Sequence, residues 1–228
     1  MSLISFIIPR NRANDGKELK VIVNEDFARK VLRVVDAGLI DGVGEPDPGK
    51  MCVEAAVSFA SGEKHTDGPI CVARWLRSWK IRLNDTIGWS NDKIRAKGLR
   101  RVAIAQLGTF KNLDTDASRT KFFKLLEAEC LKIMKEPFQK ATNIKGLAHI
   151  LRCVDMEIEG FSIHSNDSIK DYLKVTHPAW DEDDCLSAIA EMAVQVLIKM
   201  KAPGTKFLYL TEKKKAKKTV KAKHKTKR

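Results

Sequence analysis

The sequence predicts an α+β protein, mostly helical: a single compact domain over residues 1–210 with short strands near both ends, then a disordered basic tail over 211–228. Three observations predict it. Apolar residues at helical spacing fill most of the chain, short β-branched and aromatic runs lie near its two ends, and the last stretch is almost pure lysine. With 228 residues, 43% hydrophobic and 31% charged, the chain is long enough to bury a real core, and its composition excludes wholesale disorder, collagen-like repeats and a disulfide scaffold.

The elements follow in order. Leu3–Ile8 and Leu19–Val23 read as strands, with Asn14-Asp15-Gly16 as turn chemistry between them. Asn24 offers a cap to a helix over Glu25–Ala37, whose Phe27, Val31, Val34 and Val35 share a face and which Gly38 ends. Gly42–Lys50 is a Gly- and Pro-rich loop, Met51–Ser61 a short helix closed by Gly62, and Glu63–Pro69 a polar turn. Val72–Leu83 is a helix with Val72, Trp75, Leu76, Trp79 and Leu83 at helical spacing, and Asn91–Leu107 is another, ended by Gly108. A longer helix runs from about Asp116 to Lys135 and stops at Pro137. Ile144–Val154 is helical and Ile158–Ile163 a short strand. The acids Asp181–Asp184 suit the start of a helix over Asp183–Met200, and Pro203-Gly204 turns the chain into a last strand, Lys206–Leu210. Strands at both ends can pair with one another, which makes one domain of the whole.

The charge is uneven. From Thr211 to Arg228 there are nine Lys and one Arg against one Glu, net +9, and from Arg74 to Arg101 nine basic residues against two acids, net +7. The total is +13, so the rest of the chain is mildly acidic. The tail cannot bury enough surface to offset the entropy of ordering it. Its physical use is to neutralise phosphates and release counterions, without sequence preference. Lys213, Lys214, Lys215, Lys217 and Lys218 are its first candidates for that contact. On the body, Arg74, Arg77, Lys80, Arg82, Lys93, Lys97, Arg100 and Arg101 are the corresponding candidates, on a pair of basic helices. The loop between those helices, Asn84–Ser90, is longer than a helix-turn-helix turn, so no sequence-specific readout is inferred. Trp75, Trp79 and Trp89 fall in this block; periodicity puts the first two in the core and leaves Trp89 as the candidate for stacking bases.

Gly44-Glu-Pro-Asp-Pro-Gly49-Lys50-Met51 matches only part of a phosphate-binding loop. Met51 replaces the hydroxyl that would hold magnesium, two prolines remove backbone donors and two acids repel phosphate, so the motif is rejected as a nucleotide site. Cys52, Glu54, His65, Asp67 and Cys71 form the one cluster with thiol or metal chemistry, with Cys52, Glu54, His65 and Asp67 as catalytic candidates if the chain is an enzyme. Their spacing matches no standard zinc site, so no metal and no cofactor are called. Five cysteines at irregular spacing fit a reducing cytoplasm. No apolar run approaches the roughly 18–20 residues of a membrane span, and Met1–Arg10 lacks a basic start and a cleavage site.

At Cys52-Val-Glu54, Ser61-Gly-Glu63, Thr66-Asp67, Pro69-Ile-Cys71 and Arg82-Leu-Asn-Asp85 the chain resembles a group of uncharacterised bacterial and phage proteins. They carry a Cys-x-Glu or Cys-x-x-Glu, Gly-Glu, Asp-x-Pro-x-Cys and Asn-Asp pattern, and a similar Pro-Gly before a final aromatic segment. The resemblance covers about Gly49–Gly108 and that last segment. It implies a prokaryotic or phage source and one shared environment for Cys52, Asp67 and Cys71, but no activity and no catalytic residue.

The expected function is that of a non-enzymatic DNA- or RNA-binding protein, a phage accessory or DNA-packaging factor in the cytoplasm of a prokaryotic or infected cell, with no membrane partner. Two alternatives stand beside it. One is a structural protein that self-assembles or docks an acidic protein; the other is a thiol- or metal-dependent enzyme centred on Cys52.

Overall fold

The computed structural model describes residues 21–138 and 165–212. The expected strand Leu3–Ile8, the segments Ile144–Val154 and Ile158–Ile163, and the lysines from Lys213 onward lie outside them. Among the described residues the helices are α1 (Glu25–Asp36), α2 (Val53–Ser61), α3 (Arg74–Asp85), α4 (Asp92–Ala105), α5 (Thr109–Leu113), α6 (Asp116–Phe138), α7 (Ser165–Thr176) and α8 (Glu182–Lys199), followed by a 3-10 helix, Pro203–Thr211.

The class is therefore helical rather than α+β: the described residues contain no strand, only an isolated antiparallel bridge between Gly44 and Met51. The final segment shows why the strand expectation fails. Its burial does not alternate, since Phe207 and Leu208 are both buried while Lys206 and Tyr209 are exposed. Buried Gly204 and Phe207 recur at a spacing of three, the period of a 3-10 turn, and Pro203 presets the first turn. Gly204 fits only because it lacks a side chain; a Cβ there would lie 2.2 Å from the Ile104 carbonyl of α4. Val21–Val23 are likewise not a strand, and α6 continues through Pro137 to Phe138.

α4 is the central element, packing against α8, α1, α2 and the 3-10 helix. Its last turn, Val102–Ala105, is buried on every side, as small and branched residues without a polar face allow. Its contact with α8 depends on Gly98, where a Cβ would meet the Trp89 ring at 2.5 Å and Ser187 Oγ at 2.7 Å. One hydrophobic core draws on seven of the eight helices and the 3-10 segment, from Phe27 and Val31 of α1 to Phe207 and Leu208, with Leu113 of α5 packed against its edge.

The helix ends are fixed by side chains read in the sequence and by some that were not. Asn24 Oδ1 accepts from Phe27 N at 2.9 Å, and Asp181 and Asp184 form a reciprocal capping box at α8. α3 has no cap of its own. Thr109 Oγ1 accepts from Ala73 N at 3.0 Å and Asp114 Oδ1 from Arg74 N at 2.8 Å, so the α5 region caps α3 from a distance in sequence. Helices α5 and α7 were not expected; α7 nevertheless carries a legible signal in Ile169, Leu173 and Thr176, buried at spacings of four and three.

Candidate functional site

The basic block Arg74–Arg101 is engaged largely inside the molecule. Lys80 is fully buried, its ammonium 3.1 Å from Glu54 Oε1, a carboxylate that is also fully buried. Arg74 Nε lies 2.8 Å from Asp114 Oδ2. Lys93 Nζ donates to the carbonyls of Asp36 and Ala37 at the end of α1, where the helix dipole favours a cation. Arg95, also expected from its place on α4 to suit phosphate-backbone contacts, instead donates to the Leu39 carbonyl at 2.8 Å and to Asp92 Oδ1 at 2.9 Å. Arg100 clasps Asp36 through Nε at 2.6 Å and Nη2 at 3.1 Å, and Arg101 Nε meets Glu191 at 2.9 Å. Both also hold the end of the described chain, Arg100 through the Thr211 carbonyl at 2.7 Å and Arg101 through Thr211 Oγ1 at 3.3 Å. Arg77 lies beside Gly68 and Thr66, partly covered. Of the body candidates, Arg82 and Lys97 are exposed and make no ion pair among the described residues, and Arg74 keeps a side chain 62% exposed.

Trp89 does not offer a stacking surface. It is 8% exposed, its indole N–H donates to the Leu83 carbonyl at 3.0 Å, and its ring covers Gly98. Of the three tryptophans in this block, Trp75 is the one left half-buried. Its Nε1 donates to the Leu113 carbonyl at 2.8 Å and its ring packs at 5.0 Å against Phe122.

The Cys52 cluster resolves into a buried polar centre and the fastenings around it. Cys52 is the N-cap of α2, its Sγ accepting from Ala55 N at 3.4 Å. Burial pushes its thiol up to about 11 and the Cys71 thiol up to about 12, which leaves both protonated and poor nucleophiles at neutral pH. His65 Nε2 bonds to the Gly44 carbonyl at 2.9 Å, and no hydrogen bond joins it to Cys52. Among the described residues no group of three or more His, Cys, Asp or Glu side chains converges as a ligand set. Glu54 instead faces Lys80 and accepts from Gln106 Nε2 at 3.3 Å, with Ser58 buried one turn further along α2. Loss of hydration raises the Glu54 pKa, against the pull of Lys80 and Arg77 and with a small push from Asp67. The same loss lowers the Lys80 pKa, against the pull of Glu54.

Glu63, Asn84 and Asp85 of the Cys-x-Glu to Asn-Asp pattern have structural partners, whereas no hydrogen bond or ion pair of the Asp67 side chain is found among the described residues. Glu63 accepts from Ser61 Oγ at 2.6 Å and from Ile70 N at 3.0 Å, which closes the turn between α2 and α3. Asn84 Oδ1 accepts from Val53 N at 3.2 Å, its Nδ2 donates to the Ile40 carbonyl at 2.8 Å, and Asp85 Oδ1 accepts from Gly42 N at 3.0 Å. These bonds staple the loop before α2 onto the end of α3. The rejected phosphate-loop motif is part of the same loop: Glu45 N donates to the Lys50 carbonyl at 2.7 Å, and the Lys50 ammonium is taken by Asp47 and Glu45 at 3.3 and 3.7 Å.

Sequence reasoning missed the burial of Lys80, though the signal was present. It stands four residues after Leu76 and three before Leu83, on the apolar stripe of α3. Comparison with known proteins gives no further guide, since the chain matches no family model, no curated protein and no solved structure.

Proposed function

We propose that the protein binds nucleic acid without enzymatic chemistry, gripping phosphates through its lysine-rich C-terminus while the helical body serves as its mount. The observation that carries this reading is the concentration of net charge, +9 between Thr211 and Arg228 in a chain of net +13. Ten cations within one stretch that has no aromatic and one branched apolar residue are suited to counterion release. The first residue of this stretch, Thr211, is held against α4 by Arg100 and Arg101. A phage or DNA-packaging role belongs to the same reading and rests on the resemblance alone.

The body contributes less than its charge implies. Lys80, Lys93, Arg100 and Arg101 already have internal partners, so Arg82, Lys97 and Arg74 are the candidates with free reach. The test compares the full chain with residues 1–212 in a binding titration over several salt concentrations. The cut follows Glu212, because one at Leu210 would also remove the Thr211 contacts of Arg100 and Arg101. Removing ten cations lowers the slope of log K against log salt by up to about 7–9, with equal loss on every sequence. Unchanged affinity and slope would refute the role of the tail.

A further inference from the structure

An open groove of about 520 Å³ lies where the start of α3 meets the start of α6, lined by Arg74, Trp75, Asp114, Thr115, Asp116 and Arg119. The groove has an aromatic floor already held in place: the Trp75 indole is fixed by its bond to the Leu113 carbonyl and by Phe122. Two guanidinium groups flank that floor. Arg74 is oriented by Asp114 through its Nε, which leaves its terminal amino groups available, and Arg119 is exposed with no ion pair among the described residues. The two acids discriminate between ligands. Asp114 is answered by Arg74, but Asp116 is exposed and has no cation partner among the described residues, so a bare phosphate meets a repelling charge while a base amino group meets an acceptor.

We propose that this groove binds one nucleotide of a single-stranded nucleic acid, the base lying against Trp75, the phosphate on Arg119 and Arg74, and a base amino group toward Asp116. The inference rests on the nucleic-acid reading above and deepens it. It moves the stacking role expected of Trp89 to a tryptophan that stands at the surface. It also separates two modes of contact, because the lysine tail accepts single strands and duplexes alike, whereas a base inside a duplex is already stacked on both faces and cannot enter.

The test uses full-length protein and a short fluorescein-labelled oligo(dA), alone and annealed to oligo(dT), over a range of salt. Trp75→Ala weakens binding of the single strand by about 5- to 100-fold, the loss of one stacked base, and leaves the duplex as it was. Trp75→Phe recovers most of the lost affinity. Arg119→Ala, at an exposed position where folding is not at issue, lowers the single-strand salt slope by about 0.7, one phosphate contact. Single-strand affinity that is unchanged in Trp75→Ala, or lost equally on both probes, or a single-strand salt slope that is unchanged in Arg119→Ala, would overturn the stacking site and leave the tail untouched. Adenosine monophosphate that binds as tightly as the oligonucleotide would replace the strand by a free nucleotide. No binding of either probe by the wild-type chain would overturn the nucleic-acid reading along with it.

Discussion

Replacing Lys80 by Met removes one half of an ion pair that has no access to water, and the structure gives the terms of its cost. The two charges are 3.1 Å apart and both side chains are 0% exposed. At an effective dielectric of about 20 their attraction is about 5 kcal/mol, while hydration lost on burial costs several kcal/mol for each ion. The one hydrogen bond to spare comes from Gln106 to the far oxygen of Glu54. Desolvation therefore outweighs attraction, as the raised Glu54 pKa and lowered Lys80 pKa both state. Lys80→Met leaves Glu54 buried without its cation, and the expected loss is about 3–5 kcal/mol. The double variant Lys80→Met with Glu54→Leu is expected to recover most of that loss, since an apolar pair of similar volume gives up no ionic hydration on folding. Urea unfolding of the wild type, both single variants and the double variant closes the cycle, with a constant m-value as the check that all four unfold alike. The pH dependence supplies an independent readout. In Lys80→Met the Glu54 pKa lies above its unfolded value, so the folded state holds the extra proton over that window and stability rises as pH falls toward about 4.3. A loss below about 1 kcal/mol in Lys80→Met, or additive single losses in the double variant, would refute a dry pair.

Two further expectations follow from the same core. The Cys52, Cys71 and Cys130 thiols are pushed up to about 11, 12 and 11 by burial, above an unfolded value of about 8.5. The folded state then keeps protons that the unfolded state has released, so stability is present in full below pH about 8.5 and is lost as pH rises toward those folded values. Urea midpoints at pH 7 and pH 10 check this, and Ellman's reagent should reach the three thiols only as fast as the protein unfolds; quick labelling of Cys52 in folded protein would revive an enzymatic reading. Gly98→Ala improves helix propensity by about 1 kcal/mol yet drives a methyl into the Trp89 ring and Ser187, so a net loss of about 1–3 kcal/mol is expected in thermal melts. A gain in stability would mean that α4 and α8 sit further apart than they do here.

Most of the helical content was legible because it depends on local signals. The stripe of α1, the Asn24 cap, the acids before α8 and the glycines after α1 and α2 act within a turn or two of the chain, and each of these helices begins and ends within a few residues of its expected place. The candidate site was less legible. A basic residue in a sequence carries its charge but not its partner, and Arg100 with Asp36 or Arg101 with Glu191 are separated by 64 and 90 residues. The same holds for Trp89, whose place in a loop suggested exposure until Gly98 of α4 and the Leu83 carbonyl enclosed it.

By itself the sequence determined most of the helices, the caps of α1 and α8, the two concentrations of positive charge and the lack of a phosphate loop, because periodicity, local capping and composition are properties of neighbours along the chain. Only the tertiary structure decided which of those charges are free. Folding set Lys80 against Glu54, turned Arg100 and Arg101 to the end of the 3-10 helix, left Trp75 rather than Trp89 at the surface, and made the last aromatic segment a 3-10 helix instead of a strand. The physical reason is that a charge or an aromatic ring takes its role from what shares its dielectric surroundings, and those surroundings are assembled by residues far away in sequence.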